Sequence, residues 1–487
     1  MRVLFVTSEI YPLVKTGGLA DVCGALTPAL AEHGVDVRCL VPGYPAVLTQ
    51  LHHARAVAEL PDLFGGAGTL VQGLLENGTT VLAIDAPHLF DRPGNPYLGP
   101  DRLDWPDNDL RFAALGWVGA HLARGDFDAW PADVLHAHDW QASLAPAYLV
   151  LQGGRRPATV TTIHNIAYQG LFPAERLELL RLPSESLAIE GVEYYGKVGF
   201  LKAGLYYADR ITTVSPTYAR EIQGPEQGFG LEGLLRTRRA DLVGILNGVD
   251  ETVWNPASDP HLASCYDASD IAGKAANKAA LQERYGLARQ PDRPLLGVVS
   301  RLTPQKGLDL LLAAVPDLLA SGAQLAVLGS GDADLEEGFR RAAADHPRRV
   351  GVVIGYDEPL SHLIQGGADA IVVPSRAEPC GLTQLYGLRY GTLPVVARVG
   401  GLADSVIDAN EAALHDGVAT GFVFAPVTVE ALIETQKRAL ELYGERYRWG
   451  MVQRRAMSRD VGWHASATRY AALYRDLVAS RRARAAR

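Results

Sequence analysis

Three basic side chains fall where a predicted strand gives way to a helix: Lys15 in KTGGLADV, and Arg301 and Lys306 in SRLTPQKGLD. Cations gathered at one ligand edge repel one another unless an anion neutralises them. A diphosphate meets that need through charge-assisted hydrogen bonds. Gly17 and Gly18, next to Lys15, let the backbone approach such a ligand and aim the N–H groups of the following helix at it. Acids, amides and histidines follow other predicted strands: Asp139 in HAHDW, His164 and Asn165 in TIHN, Asn247 in ILNGVD, and Glu378 in AEPCGLTQ. Glu378 precedes Pro379, which keeps its backbone extended. Singly, each has a structural reading: solvated loop cations, an aspartate capping a helix, a histidine satisfied by backbone. Together, beside a phosphate-binding set, they suit recognition of sugar hydroxyls and of a cationic, sugar-like transition state. The chemistry they indicate is transfer of a sugar from a nucleoside diphosphate, with lysine and arginine balancing the leaving group so that no metal or other cofactor is needed.

Other chemistries fit less well. The Gly329-Ser330-Gly331 turn has Asp334 where a dinucleotide fingerprint needs its third glycine, and there is no P-loop pattern. Asp126-Phe127-Asp128 has a D-x-D form, but it precedes a strand and reads as surface acid; His136 and His138 have no partners at metal-ligand spacing. The four cysteines are scattered without a CxxC pair, consistent with a reduced, cytoplasmic chain. A net charge of −9 argues against nucleic acid or an anionic membrane as partner. No run of about 18 apolar residues is present to span a bilayer. The start, MRVLFVTSEI, reads as a strand and not as a signal peptide. The basic tail from Ser480 reads as a frayed, solvated terminus.

The elements that must position these residues are legible as short β-branched runs with helical stretches between them. In the first half the runs are Val3–Thr7, Val37–Val41, Val81–Asp85, Val134–His138, Thr159–Ile163 and Ile211–Val214, with a further short one at Gly244–Leu246. In the second half they are Leu295–Val299, Gln324–Leu328, Val350–Ile354, Ala370–Val373 and Leu393–Ala397. Continuous apolar runs of this kind are parallel strands buried on both faces. They are too many for one compact sheet, and the Asn-, Pro-, Asp- and Ser-rich segment from about Gly244 to Asp292 breaks the rhythm. An α/β chain of two facing Rossmann-like halves results, with ligands at the carboxyl edges of the strands. A TIM barrel would not explain the central break.

Taken in order, KTGGLADV, HAHDW, TIHN, ILNGVD, SRLTPQKGLD and AEPCGLTQLYG resemble the bacterial glycogen synthases and their plant starch-synthase relatives, from residue 1 to about 470. The resemblance implies the GT-B glycosyltransferase fold: an acceptor domain over 1–245, a nucleotide-sugar donor domain over 246–460, and a crossover helix and tail over 461–487 that return to the first domain. It also implies transfer of glucose from ADP-glucose to the non-reducing 4-hydroxyl of an α-1,4-glucan, with retention. Under it, Lys15, Gly17 and Gly18 serve the donor's phosphate and glucose region, and Arg301 and Lys306 hold the diphosphate. His164 and Asn247 face the transferred glucose, with Asn165 beside them, and Asp139 serves its hydroxyls or the acceptor side. Glu378 grips glucose hydroxyls, and the N–H groups of Cys380, Gly381, Leu382 and Thr383 reach sugar and phosphate. Tyr356 in VIGYDEPL is similar to a tyrosine that stacks on adenine, and Tyr97 in GNPYLG lines the sugar side.

One departure is informative. The wider retaining pattern has a second glutamate eight positions after Glu378, where this chain has Tyr386, as glycogen and starch synthases do. That removes a candidate nucleophile and favours attack from the face the phosphate leaves. Gly-Gly-Leu-Ala-Asp recurs at Gly400–Asp404 with Val399 in place of a polar neighbour, and this second copy reads as a structural turn. The alternatives left by the sequence are a UDP-glucose-dependent transferase of the same fold and an inactive glucan-binding protein.

Overall fold

The computed structural model describes residues 1–127 and 130–485, so Asp128 of the D-x-D pair and the last two residues lie outside it. The chain divides into two compact units: Met1–Asn247 together with the chain from Trp463 onward, and Gly248–Gly462.

The first unit is built on strands β1 (Arg2–Val6), β2 (Asp36–Pro42), β3 (His52–Leu60), β4 (Gly68–Leu74), β5 (Thr80–Asp85), β6 (Val134–His138) and β7 (Ala158–Ile163). A small antiparallel sheet of β8 (Leu171–Pro173), β9 (Glu193–Tyr194) and β10 (Lys197–Gly199) follows, then β11 (Arg210–Thr213) and β12 (Leu242–Gly244). The main sheet has the order β12-β11-β7-β6-β1-β2-β5-β4-β3. It is parallel from β12 to β5, and β4 and β3 continue it antiparallel. Every residue of β6 and β7 is buried, as expected for parallel strands covered on both faces.

The second unit carries β13 (Leu295–Val299), β14 (Gln324–Gly329), β15 (Val350–Ile354), β16 (Ala370–Val373), β17 (Leu393–Ala397) and β18 (Phe422–Phe424). They form one parallel sheet in the order β15-β14-β13-β16-β17-β18.

The predicted buried runs are strands in both units. The β3–β4 hairpin escapes a search for such runs because β3, HHARAVAEL, is largely exposed and carries no Val/Ile block. β12 lies two residues before the expected Gly244–Leu246, because its ladder with β11 ends at the Thr213–Gly244 pair. Where the chain leaves and rejoins the second unit, Val249 N–H donates to the Val461 carbonyl at 2.8 Å, so the two connecting segments run side by side.

The C-terminal helix His464–Ala485 belongs to the first unit. Tyr470 and Tyr474 are buried there, and the Tyr474 hydroxyl lies 2.6 Å from His136 Nδ1. The basic tail is not frayed at its start: Arg481 donates to the Arg156 carbonyl at 2.7 Å and also to that of Pro157, so this cation is docked on backbone oxygens. Tyr474→Phe deletes a buried hydrogen bond and leaves a ring nitrogen of His136 unpaired, and is expected to cost about 1–2 kcal/mol in urea unfolding of the full chain.

Candidate active site

In the second unit the chain runs from β13 to β14 and β15 on one side, and β16 to β18 lie on the other, so the sheet's switch point falls between β13 and β16. Ligands of open α/β sheets bind at the carboxyl ends of such strands. The two loops leaving this point carry the key charges. Lys306 Nζ donates to both carboxylate oxygens of Glu378, at 2.8 and 2.7 Å, and the Ser375 hydroxyl donates to Glu378 Oε2 at 3.0 Å. Glu378 is buried and Lys306 only slightly exposed, so the pair is shielded from water and strengthened.

The loops are locked to each other behind this pair. Arg376 clamps Asp309 through two bonds of 2.6 and 2.7 Å, and its backbone N–H reaches the Gln305 carbonyl at 2.9 Å. Gly307 adopts φ +69°, and a Cβ there would sit 1.9 Å from the Pro374 carbonyl oxygen. Only glycine allows the lysine loop this close to the glutamate loop. The second Gly-Gly-Leu-Ala-Asp copy supports the same place: a Cβ on Gly400 would meet the Glu378 carbonyl at 1.9 Å, and one on Gly401 the Cys380 carbonyl at 2.2 Å. Gly401 N–H also donates to the Glu378 carbonyl at 3.1 Å.

After Glu378 and Cys380, Gly381 turns at φ +72° and the helix Thr383–Tyr390 begins. Gln384 holds the turn by donating to the Cys380 and Gly381 carbonyls at 3.0 and 2.8 Å. The backbone N–H groups of Gly381, Leu382 and Thr383 have no acceptor among the described residues, the condition of a helix start available to an anion. Arg301, after β13, and Tyr356, after β15, are exposed at the same carboxyl edge, Tyr356 by 77%. Tyr386 is packed instead: its ring lies 3.7 Å from that of Trp254, which stacks equally closely on His362.

In the first unit the corresponding edge is formed by β6, β1 and β7. The loop after β1 is organised by buried Glu9, whose carboxylate accepts from the Thr16 hydroxyl at 2.6 Å, from the Thr16 N–H and from the Tyr97 hydroxyl. Tyr97 also lies 2.8 Å from the Ser8 hydroxyl. Lys15 pairs with Asp21 at 3.0 Å, and Gly17 precedes the helix Gly18–Ala31 with open space where a Cβ would point.

Asp139 follows β6 at φ +56°, a left-handed conformation that a non-glycine residue adopts at a cost. Its buried carboxylate accepts from the backbone N–H of His164 at 2.7 Å and of Asn165 at 3.3 Å. Burial pushes this carboxyl up to about 7, against the pull of those two N–H groups. His164 is half-buried, with Nε2 3.0 Å from His138 Nδ1, and desolvation lowers it to about 3. Asn165 Oδ1 accepts from Ala167 N–H at 3.0 Å. Asn247, where the chain leaves the first unit, is buried and its Oδ1 has no partner among the described residues.

Lys306, Glu378 and the Cys380–Thr383 turn therefore converge in the second unit, while Asp139, His164 and Asn165 converge in the first. One expectation changes. Lys15 and Lys306 each have a carboxylate partner in their own unit, so mutual repulsion does not by itself demand a diphosphate. The carboxylate of Asp139 and the hydroxyl of Tyr97 also hold loops within the first unit. Reasoning from sequence placed Glu9 at the ligand edge after the first strand but passed over Ser375, Arg376 and Asp309. Proximity to Glu378 along the chain was the one signal available for the first two of these.

These two edges, each on a Rossmann-type sheet, define a GT-B glycosyltransferase. The chain matches the starch synthase catalytic domain over residues 2–237 and the glycosyl transferases group 1 family over residues 282–455. It is 56% identical over 482 residues to a glycogen synthase of Rhodopseudomonas palustris (strain BisB18), covering 99% of this chain and 98% of that one. It is also 56% identical to a glycogen synthase of Acidiphilium cryptum (strain JF-5), over 98% of this chain and all of the relative. The solved catalytic domain of starch synthase IV from Arabidopsis thaliana, bound to ADP and acarbose, superposes with a TM-score of 0.88 at 31% identity, covering 98% of this chain and 99% of that one. The chain belongs to the glycogen synthase family. A sucrose-phosphate synthase from Thermosynechococcus elongatus, at TM-score 0.58 and 18% identity, shares the fold alone.

The elevated Asp139 carboxyl has a consequence for stability. Between its ordinary value of 3.8 and about 7 the folded chain keeps a proton that the unfolded chain has lost. The folded state then binds more protons, so this group's contribution falls as pH rises through that window and is flat above it. Asp139→Asn removes the titration, and its unfolding free energy should vary less between pH 4 and 7 than that of the parent, as read by urea melts across the range.

Proposed function

We propose that the chain is a glycogen synthase that transfers glucose from ADP-glucose to the non-reducing 4-hydroxyl of an α-1,4-glucan, retaining the α configuration and releasing ADP. The observation that carries this reading is the Lys306–Glu378–Ser375 set at the second sheet's switch point, beside three backbone N–H groups without acceptors among the described residues. Such a set offers a fixed ammonium and a helix start to a diphosphate, and a carboxylate to sugar hydroxyls. The full-length likeness to glycogen synthases supports the glucan as acceptor, and the ADP of the Arabidopsis structure supports adenine in the donor.

In this reading the second unit is the donor domain. Lys306, Arg301 and the N–H groups of Cys380–Thr383 bind the diphosphate, and Tyr356 stacks on the adenine. Glu378 holds Lys306 in place and takes glucose hydroxyls. The first unit is the acceptor domain, where Lys15 and the Gly17-Gly18 backbone assist the donor's phosphate and glucose region. His164, Asn165 and Asn247 serve the transferred glucose, Asp139 sets the His164 backbone, and Tyr97 fixes the Glu9 loop. We place the enzyme in the cytoplasm; among the described residues no helix is long and apolar enough to cross a membrane.

The reaction follows from the absence of a second acid. With Tyr386 stacked on Trp254, no carboxylate occupies the position of a second glutamate. The bond from the glucose anomeric carbon to the phosphate oxygen breaks while negative charge gathers on the diphosphate, where Lys306 and the helix N–H groups stabilise it. The acceptor hydroxyl attacks from the same face, and its proton passes to the departing phosphate oxygen. ADP leaves, and the new α-1,4 bond has the donor's stereochemistry.

Lys306→Ala and Glu378→Ala should each lower kcat at least about a hundredfold with ADP-glucose and glycogen. Near-normal turnover in both would end the assignment. Activity should survive EDTA, and calorimetry should show ADP binding more tightly than UDP.

A further inference from the structure

His138 closes β6 and is wholly buried, its ring stacked on His136 at 4.1 Å and lying 4.7 Å from Phe5. Nδ1 of His138 meets His164 Nε2 at 3.0 Å, while its own Nε2 is buried without a polar partner among the described residues. Burial holds both rings far on the neutral side, so each carries one proton and the contact needs one donor and one acceptor. Two arrangements satisfy it. If His164 donated from Nε2, His138 would have to carry its proton on Nε2, an N–H sealed away from any acceptor. If His138 donates from Nδ1, its Nε2 is a bare lone pair. Orphaned buried N–H groups are the rarer of the two outcomes, which favours the second arrangement.

We infer that His138 is a positioning residue that locks His164 in the Nδ1–H tautomer, so that the free edge of the His164 ring offers a hydrogen-bond donor, not an acceptor, to a sugar hydroxyl. The Nδ1 of His164 has no hydrogen-bond partner among the described residues, and the ring is half-buried, consistent with such an offered group. Two adjacent residues then act together on His164, Asp139 holding its backbone and His138 setting its proton. The sugar as recipient rests on the function proposed above; the tautomer does not.

The test separates the two. In the full chain labelled with 15N-histidine, long-range proton–nitrogen correlations, with His164 assigned by its loss in His164→Asn, are expected to show the proton on Nδ1. A proton on Nε2 overturns the inference, whether or not the enzyme makes glucan. His138→Phe should release the lock, changing the His164 nitrogen pattern and lowering kcat about tenfold with little change in KM for glycogen, the loss of about one hydrogen bond. His138→Asn, whose amide N–H can stand where Nδ1–H stood, should restore both the pattern and most of kcat. An unchanged pattern in His138→Phe, or His138→Asn no better than His138→Phe, also overturns it.

Discussion

The ion pair between Lys306 and Glu378 is the contact around which the second unit's carboxyl edge is arranged. A lysine ammonium is a flexible point charge, and a leaving diphosphate benefits from it only if its position is set beforehand. Glu378 sets it with two short bonds, and Ser375 sets Glu378 in turn. The cost of shielding two charges from water is met by this good geometry and by the neighbouring donor. The loops beneath the pair are packed tightly against each other. Gly307 lies against Pro374, Arg376 clamps Asp309, and Gly400 and Gly401 lie under the backbone of Glu378 and Cys380.

That arrangement accounts for a five-residue sequence serving two purposes. At Gly17 nothing lies within 4 Å of where a Cβ would be, and the glycine leaves the approach to the backbone clear beside Lys15. At Gly400 and Gly401 the same missing side chains let one loop press against another. The physical property is identical, a backbone without a Cβ, and the difference lies in what comes close to it: open space in one copy, the glutamate loop in the other.

The first unit solves a related problem with buried polar groups in place of an ion pair. His136, His138 and Asp139 continue one strand into a tight left-handed turn, and each side chain is used internally. His136 ties the C-terminal helix to the sheet through Tyr474, so the return of that helix to the first unit anchors the strand that bears His138 and Asp139. An aspartate this buried with a raised carboxyl would be a poor permanent anion, but it is a good acceptor for two backbone N–H groups.

The sequence by itself determined most of the buried parallel strands, since their Val/Ile runs have a composition that exposed segments lack. It also pointed to the loops that follow the carboxyl ends of these strands, where ligands of open α/β sheets bind. Glu378, Lys306, Asp139 and His164 were legible on that ground. The β3–β4 hairpin was not, because its exposed strand lacks the apolar signature, and neither was the docking of Arg481 onto the Arg156 and Pro157 carbonyls. Pairings across long sequence separations were decided by tertiary structure alone: Lys306 with Glu378, Arg376 with Asp309, Tyr97 with Glu9, His138 with His164. Residue types announce what a side chain can bond, but which partner it meets depends on strand order and on where glycines let loops touch. For that reason the bonds of Asp139 to the His164 and Asn165 backbone, and of Tyr97 to Glu9, appear only in the folded chain.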